Sequence, residues 1–502
     1  MRPSPGERGP AFVLAGSVAL LVAILAIAVV SATRRPGPGG EAARLVPASA
    51  LAFARISTDP EDPAARRLQR LAPRIPGYLS LRDAALTAVS PAPGAFDPRR
   101  DVRPWLGDEA AVALVDIGGG RFGSLVLAQV RSRPRAEALL QRVAGAGRGV
   151  RYRETVLRRF GANAAAFAGG FLIAGPEAAV RRAVDVAQGG APALAGAPGF
   201  EAALEDARQP GEIYLSPRGL RGYVRAQGGV PAALGALLDV PSLQAVGGSL
   251  RADARGLRVH VRRLGGGGAE ARPRLVDGVP AGAVALLAGP SLAAAVQAAQ
   301  RAGGAAALES VRSTLREASA LDLDRDLLGR LRGEYAAWIE PGTAAPVITL
   351  AARTRDPAGM REALARLQDP LARALAGDQG ATPAFAARTI AGADAFTLEI
   401  SDGFAPTYAV VGDTVLASTS AAGVERFRAR GPRLRSAGGF RAAVPRVPAR
   451  IGSLGFVDVR RLLALGEQTG LSADVLQPVR AAAAVVEHEG RDTTAELFFE
   501  IP

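Results

Sequence analysis

Two of the side-chain types that most often carry chemistry are missing from this chain. All 61 basic residues among its 502 residues are Arg, so the sequence contains no Lys, and it contains no Cys. Without Lys there is no P-loop lysine, no Schiff base and no Ser-Lys dyad. Without Cys there is no thiol nucleophile, iron–sulfur cluster or Cys-based zinc site. The composition therefore excludes whole classes of enzyme.

Only His260 and His488 remain for imidazole chemistry, and neither lies in a His-Glu-x-x-His or Gly-x-Ser-x-Gly motif. His260 alternates with apolar residues on a predicted strand, between Arg258 and Arg262. We predict that these three residues form a solvated, basic strand face rather than a catalytic site. His488 is flanked by two glutamates, and both pairing with a carboxylate and a plain position in a surface hairpin stay open.

Asp322, Asp324 and Asp326 have the spacing that opens a calcium-binding loop. Such a loop needs Gly at its sixth position and a bidentate Glu at its twelfth, where this chain has Leu327 and Gly333. Helix capping and first-turn charge explain these acids better. We therefore predict no metal site here.

Two further patterns suggest chemistry but fit it poorly. The glycine-rich stretch Gly145 to Gly149 follows a predicted helix and precedes a strand, the reverse of the order that aims helix amides at a phosphate. The pair Asp108-Glu109 invites an acid/base interpretation, but its counterpart further along the chain is Gly333-Glu334. We interpret Glu109 and Glu334 as structural turn residues, and we predict no catalytic residue and no cofactor.

The stretch Ala11 to Ala32 has twenty-two residues without a charge. A helix of that length spans a hydrocarbon core of roughly 30 Å, so we predict a retained transmembrane anchor after a short tail, residues 1–10. A cleaved signal is the alternative, because Val30 to Ala32 are small. Positive charges on both sides leave the orientation undecided, but an anchor so near the N-terminus favours export of the body.

The positive charge is concentrated in the first half of the chain. Residues 45–264 contain thirty Arg and nineteen acids, whereas residues 265–502 contain twenty-six of each. No basic run is interleaved with aromatic residues, so we do not expect nucleic acid as a partner. Anionic lipid or a cell-wall polymer fits a basic, membrane-proximal half better.

The run of four glycines at 265–268 predicts a flexible joint, and the same pattern runs on both of its sides. Six matched stretches follow in one order, from Val46-Pro47 and Val279-Pro280 to the closing strands. We therefore predict a tandem duplication: a linker at 33–44, repeat 1 at 45–264, a linker at 265–274 and repeat 2 at 275–502.

Short turns between predicted strands indicate antiparallel pairing, because a parallel crossover needs a dozen or more residues. Each repeat is thus predicted as an α+β domain with a mainly antiparallel sheet. The alternation of Leu257, Val259 and Val261 with polar residues predicts that helices cover only one face of the sheet.

The anchor, the Val-Pro-Ala opening, DVRPWLGDEAAVAL and AAFAGGFLIAGPEAAVRRAVD resemble an uncharacterised bacterial family, a domain of unknown function. The resemblance covers most of the chain. It implies a single-pass plasma-membrane protein with a large extracytoplasmic body, and it supplies no active site.

These features predict a non-enzymatic binding or scaffold protein of the cell envelope. One alternative is a carrier or sensor that holds an apolar ligand between sheet and helices, favoured by the small residues around Ala293 to Ala307. A second alternative is a hydrolase that uses only Asp and Glu, which requires two carboxylates roughly 5–10 Å apart in a cleft.

Overall fold

The computed structural model describes most of the chain from Gly39 onward. The described residues are 39–59, 67, 98–118, 121–144, 148–204, 210–226, 241–252, 255–300, 309, 312–313, 322–376, 383–467 and 479–501. The predicted tail, anchor and first linker residues, 1–38, lie outside this set. Within it, no helix is both long and apolar enough to cross a membrane.

Contacts divide the chain into two compact units. The first comprises Met1–Gly266 with Arg491–Thr494 and Ile501–Pro502, and the second comprises Gly267–Gly490 with Ala495–Glu500. The division falls inside the glycine run, where the sequence predicts the joint.

The described part of the first unit begins with a 3₁₀ helix, Ala42–Arg44, and continues as a meandering sheet with helices between its strands. Its strands are β1 Ala52–Ser57, β2 Leu106–Gly118, β3 Arg121–Val130, β4 Arg148–Tyr152, β5 Thr155–Phe160, β6 Asn163–Ala168, β7 Phe171–Pro176, β8 Gly211–Leu215, β9 Ala245–Ala252 and β10 Gly256–Leu264. Its helices are α1 Pro98–Asp101, α2 Arg133–Ala144, α3 Glu177–Ala187, α4 Phe200–Leu204 and α5 Pro217–Ala226, with a second 3₁₀ turn at Leu194–Gly196.

The strands of this unit are hydrogen-bonded in the order β10-β9-β8-β1-β2-β3-β7-β6-β5-β4, and all of these pairs are antiparallel. The central pair, β1 with β2, joins Phe53 to Ala113 and Arg55 to Ala111. Tight turns such as Gly169-Gly170, both with positive φ, connect neighbouring strands.

The second unit begins with a 3₁₀ helix, Leu275–Gly278. Its strands are β11 Ala285–Gly289, β12 Tyr335–Glu340, β13 Val347–Arg353, β14 Ala386–Ile390, β15 Ala393–Thr397, β16 Thr407–Val411, β17 Thr414–Ser418, β18 Ser453–Asp458, β19 Ala481–Glu489 and β20 Asp492–Glu500, of which residues 492–494 belong to the first unit. Its helices are α6 Leu292–Ala299, a π-helix Leu323–Leu328, α7 Pro357–Ala376, α8 Ala421–Arg428, α9 Gly438–Ala443 and α10 Val459–Glu467, with a 3₁₀ turn at Leu434–Ser436.

In this unit the pairing order is β20-β19-β18-β11-β12-β13-β17-β16-β15-β14. The protein is therefore a mixed α/β structure with extensive antiparallel sheet and several helices. The prediction of mainly antiparallel pairing is confirmed.

The prediction that helices cover one face of each sheet is wrong. In the first unit, Phe53, Leu125 and Ile173 form a core with α3 and α4 on one face. On the opposite face, Leu106 and Trp105 pack with Ala136 and Leu139 of α2. Strands that have apolar residues at successive positions place apolar side chains on both faces of the sheet, and helices can pack on each. The alternation of apolar and polar residues that led to the prediction occurs on β10 and does not hold for these strands.

The glycine run is packed at its C-terminal end rather than free throughout. A Cβ on Gly268 would lie 2.6 Å from the His488 ring, so a larger residue there would require the His488 side chain to move. Three residues further on, Ala271 exchanges two backbone hydrogen bonds with Ile451, at 3.0 and 2.9 Å. This part of the predicted linker is consequently an ordered part of the second unit.

Candidate functional site

Two buried glutamates of the first unit hold the segment with which the described chain begins. Glu109 on β2 accepts hydrogen bonds from the amides of Glu41 and Ala42, both at 2.9 Å. Glu212 on β8 accepts one from the amide of Gly39 at 2.8 Å. The amides of Glu41 and Ala42 lie at the start of the 3₁₀ helix and have no partner within it, so Glu109 caps the helix, whereas Glu212 holds the backbone just before it. We call this arrangement the N-terminal clamp.

Arg55 on β1 completes the clamp. Its Nε donates to Glu212 Oε2 at 3.0 Å, and its Nη2 lies 2.9 Å from Oε1. Arg55, Glu109 and Glu212 are all buried. Because charges without partners are costly in a protein interior, the two acids and the arginine are interdependent.

The clamp shifts the ionisation of its members. Burial disfavours the charge on Arg55, but the hydrogen bond and charge of Glu212 outweigh it, so the pKa of Arg55 is raised. Burial also raises the pKa of Glu109, although Arg55 and the two amides act in the opposite direction.

Glycine at positions 39 and 40 makes the clamp possible. Both have positive φ, at 74° and 64°. A Cβ on Gly40 would overlap the Glu109 carboxylate and the Arg55 side chain, and one on Gly39 would overlap the Phe200 ring. The Gly-Gly pair therefore brings the backbone close enough for its amides to reach the buried carboxylates.

Glu334 at the start of β12 has a related role in the second unit. Its Oε1 accepts a hydrogen bond from the amide of Leu275 at 2.6 Å, at the start of the 3₁₀ helix Leu275–Gly278. Burial raises the pKa of Glu334 to about 7, partly offset by this hydrogen bond. Glu109 and Glu334 are thus caps for distant backbone segments, which is more specific than the turn role predicted from the sequence.

A second buried carboxylate in this unit is Glu340 on β12. It accepts hydrogen bonds from Trp338 Nε1 and from Arg426 Nε, both at 3.0 Å. The Trp338 ring stacks on Phe427, with centroids 5.4 Å apart. Sequence reasoning missed this group, because Glu340 and Arg426 are 86 residues apart.

The predicted basic strand face is half-buried. Cross-strand register places His260 opposite Ser249, Ser249 opposite Glu212 and Glu212 opposite Arg55, so these four residues form one row on one face of the sheet. His260 thus continues the row of the buried ion pair.

The two arginines beside His260 are also partly buried. Arg258 is of intermediate exposure. The side chain of Arg262 is 17% exposed and lies 3.6 Å from the Asp492 carboxylate. Whether Arg258, His260 and Arg262 bind a partner stays a prediction.

The imidazole of His488 packs against two glycines. A Cβ added to Gly452 would be 2.5 Å from its Nε2, and one added to Gly268 would be 2.6 Å from the same atom. The backbone amide of His488 donates to Glu270 at 3.0 Å, and Glu270 also pairs with Arg450 at 2.9 Å. The residue thus connects the hairpin β19–β20 to the linker segment of its own unit.

Asp322 caps a helix whose first turn contains Asp324 and Asp326, in agreement with the predicted capping and first-turn charge. Asp322 accepts from the Arg325 amide at 2.8 Å. Asp326 accepts from the Asp322 amide and from Arg325, and these bonds lower the pKa of Asp326 to about 2. Among the described residues no group of His, Asp or Glu is arranged to hold a metal ion.

The remaining predicted residues also have local roles. Asp108 pairs with Arg131 at 3.0 Å. The nearby Asp101 is buried and pairs with Arg100 and Arg142. The glycine-rich stretch lies between α2 and β4, although its residues 145–147 fall outside the described set. The order of helix then strand agrees with the predicted turn.

The fold and its sites define a mixed α/β protein whose buried carboxylates cap backbone segments. A model for a family described only as "Protein of unknown function (DUF3352)" matches residues 11–488, so the chain belongs to that family. No curated protein matches it. Among solved structures, crystal forms I and III of TP0453 are each 10% identical, with a TM-score of 0.27; they cover 44% of this chain and 77% and 78% of theirs.

Proposed function

We propose that this protein is a non-enzymatic, membrane-anchored binding or scaffold protein of the cell envelope, with its body outside the cytoplasm. The N-terminal clamp is the observation that carries the proposal. It fixes the backbone at Gly39, only seven residues after the predicted anchor ends at Ala32. Seven residues reach at most about 25 Å, so the first unit is held close to the membrane.

The chemistry of the clamp supports a structural use of its acids. Three of the four carboxylate oxygens of Glu109 and Glu212 accept backbone amides, and the fourth pairs with Arg55. Acids engaged in this way are unsuited to proton transfer with a substrate, which favours a binding role over the alternative of a hydrolase that uses only Asp and Glu.

We further propose that the two units arose by tandem duplication. When the strands of each unit are numbered along the chain, the strands of the two units pair in the same order. In both, Leu after the third helix bonds back to the Val of the Val-Pro pair: Leu194 to Val46 at 2.7 Å and Leu434 to Val279 at 2.9 Å. A further repeated bond joins Leu51 to Leu114 and Val284 to Ile339, each at 2.8 Å.

Topology can be tested with single cysteines, because the natural chain has none. Thr389 is exposed on β14, so Thr389→Cys should react with a membrane-impermeant maleimide in spheroplasts, and the protein should stay with membranes after a carbonate wash. Val424→Cys, at a buried position, is the matched control and should stay unlabelled. Labelling of Thr389→Cys only after permeabilisation would place the body in the cytoplasm and contradict the proposal.

An apolar-ligand carrier is the second candidate, favoured by one face of the second sheet. Leu287 and Ile348 are 49% and 50% exposed, unusual for strand residues of this size. Register joins Leu287 to Ala337 and Ile348 to Ile339 on the same face. Helix α6 packs nearby through Leu292.

Native mass spectrometry of protein from its own host tests this second candidate. A copurified apolar mass that is lost in Leu287→Gln/Ile348→Gln would support it. A wild-type spectrum without added mass would contradict it.

A further inference from the structure

Part of the excess positive charge of the first unit is clustered on one element, the two-stranded ribbon β4–β5. It contains Arg148, Arg151, Arg153, Arg158 and Arg159 against one acid, Glu154. Strand β4 is at the edge of the sheet. The ribbon is therefore a basic edge on a unit that already carries most of the excess charge.

One face of the ribbon points inward, and Arg159 on this face and Arg153 at the turn have acidic partners. Leu157 on that face is fully buried in the core. Arg159 pairs with Glu177 and Arg153, at the turn, with Asp185, both at 2.6 Å. These two arginines therefore have partners within the first unit.

The other face is basic and apolar at once. Arg151 lies directly opposite Val156, and Arg158 follows two residues later on the same side. Neither Arg151 nor Arg158 has a carboxylate within ion-pair distance in the described part of the chain. Val156 is 60% exposed, one of the most exposed large apolar residues described. Opposite Arg158 is Gly149, which has no side chain, and Arg158 itself is of intermediate exposure.

The corresponding ribbon of the second unit lacks this character. Both ribbons turn at a non-glycine residue with positive φ, Arg153 at 53° and Ala391 at 48°. The position pair Arg151 and Val156 corresponds to Thr389 and Asp394, which also lie opposite each other. The basic, apolar face is thus particular to the unit next to the predicted anchor.

The ribbon turn and the N-terminal clamp lie at the same end of the first sheet. Strand β5 runs antiparallel to β6, with Arg158 opposite Ala165, so the start of β5 is directed towards the end of β6 and the Gly169-Gly170 turn. Leu45, just beyond the clamp, packs on Gly169, where a Cβ would lie 2.7 Å from its Cδ2. The end of the sheet that is tethered to the predicted anchor is therefore the end that presents the ribbon.

We propose that the face formed by Arg151, Val156 and Arg158 rests on the anionic phospholipid headgroups of the membrane that carries the anchor. The arginines match the headgroup phosphates, and Val156 reaches the apolar boundary below them. Charge complementarity and the short tether favour this partner. The inference rests on the proposed anchor and specifies how the first unit sits at the membrane.

A fluorophore at this face tests the proposal, using the full chain with one introduced cysteine. Val156→Cys carries an environment-sensitive dye, and the protein is reconstituted in phosphatidylcholine vesicles with and without phosphatidylglycerol. We expect a blue shift that requires phosphatidylglycerol and is reversed by high salt. The matched control is a dye at the corresponding exposed position, Asp394→Cys, which should not respond.

Charge removal sharpens the test. Arg151→Gln/Arg158→Gln should lower the equilibrium constant for contact between the ribbon face and the anionic membrane roughly 30-fold. Each basic residue near an anionic surface contributes about a factor of five to this constant. Removing two exposed arginines of the second unit, Arg430→Gln/Arg441→Gln, should leave it unchanged.

Two outcomes would overturn the ribbon proposal: an equal dye shift in both vesicle types, or a shift in neutral vesicles on adding soluble polyphosphate, which would indicate a polymer partner. The same experiment distinguishes failure of the proposed anchor from failure of the ribbon proposal. A chain that carbonate washes off the vesicles contradicts the proposed anchor, whereas one that stays but whose dye ignores phosphatidylglycerol contradicts only the ribbon.

Discussion

Arg55 and Glu212 lie directly opposite each other on β1 and β8, and their charged groups pair at 2.9 Å with 4% and 0% of the side chains exposed. In the second unit the corresponding strands β11 and β18 place Ala288 opposite Leu454. One position in the fold thus accommodates either a buried ion pair or two apolar residues.

This relationship predicts a strongly non-additive pair of substitutions. Glu212→Leu alone leaves Arg55 buried without its partner and should cost about 3–5 kcal/mol of unfolding free energy. Arg55→Ala/Glu212→Leu, which copies the second unit, should cost clearly less than the single change. Urea unfolding followed by hydrogen exchange in β1 and β8 peptides measures both. Equal losses would show that the ion pair itself stabilises the unit.

The strand hairpins could be predicted because their signals are local. The segments around Gly169-Gly170 and Gly412-Asp413 predict tight antiparallel turns, and the structure has β6–β7 and β16–β17 there. The roles of Glu109 and Glu334 could not be predicted in the same way. Their amide partners are 67 and 59 residues earlier, and nothing in the residues around either carboxylate identifies such a partner.

The strand face of His260 shows a second limit of local patterns. Its alternation with Arg258 and Arg262 correctly separates two faces of β10, but it does not say which face meets the core. That depends on neighbours in the sheet, and register places His260 in the row of Arg55 and Glu212. A polar residue in such a row can be half-buried because its neighbours are polar as well.

Gly40→Ala should open the N-terminal clamp. The φ of 64° costs an alanine roughly 1 kcal/mol, and its Cβ would also overlap the Glu109 carboxylate. We expect faster tryptic cleavage after Arg44, whose side chain is 68% exposed. Gly161→Ala is the matched control, because its φ is 60° but no atom lies within 4 Å of the added Cβ. If both variants are cleaved at the wild-type rate, Gly40 is not needed for the clamp.

The stability of the second unit should fall as the pH rises from about 4.5 to about 7. The pKa of Glu334 is raised by burial from 4.5 to about 7 in the folded state, so the folded unit binds a proton that the unfolded chain has lost. The stabilisation is complete below the unfolded pKa and is lost through pH 7.

Glu334→Gln should flatten this dependence, since the amide keeps an acceptor for Leu275 but does not titrate. Denaturant unfolding monitored by Trp338 fluorescence at several pH values measures the slope. Glu399→Gln, at an exposed residue paired with Arg388, is the control and should keep the wild-type slope. An unchanged slope in Glu334→Gln would assign the pH dependence to another group.

Glu340 provides a graded test of a buried acceptor shared by two donors. Glu340→Gln keeps an oxygen for Trp338 Nε1 and removes only the charge that faces Arg426, whose side chain is 38% exposed and partly solvated. Glu340→Leu leaves the indole N–H without this acceptor and should cost roughly 1–3 kcal/mol of unfolding free energy, more than the Gln variant. Because Trp338 is the donor, its fluorescence reports both the unfolding transition and the local change. A Leu variant as stable as the Gln variant would show that the indole finds another acceptor, and that Glu340 serves mainly to bind Arg426.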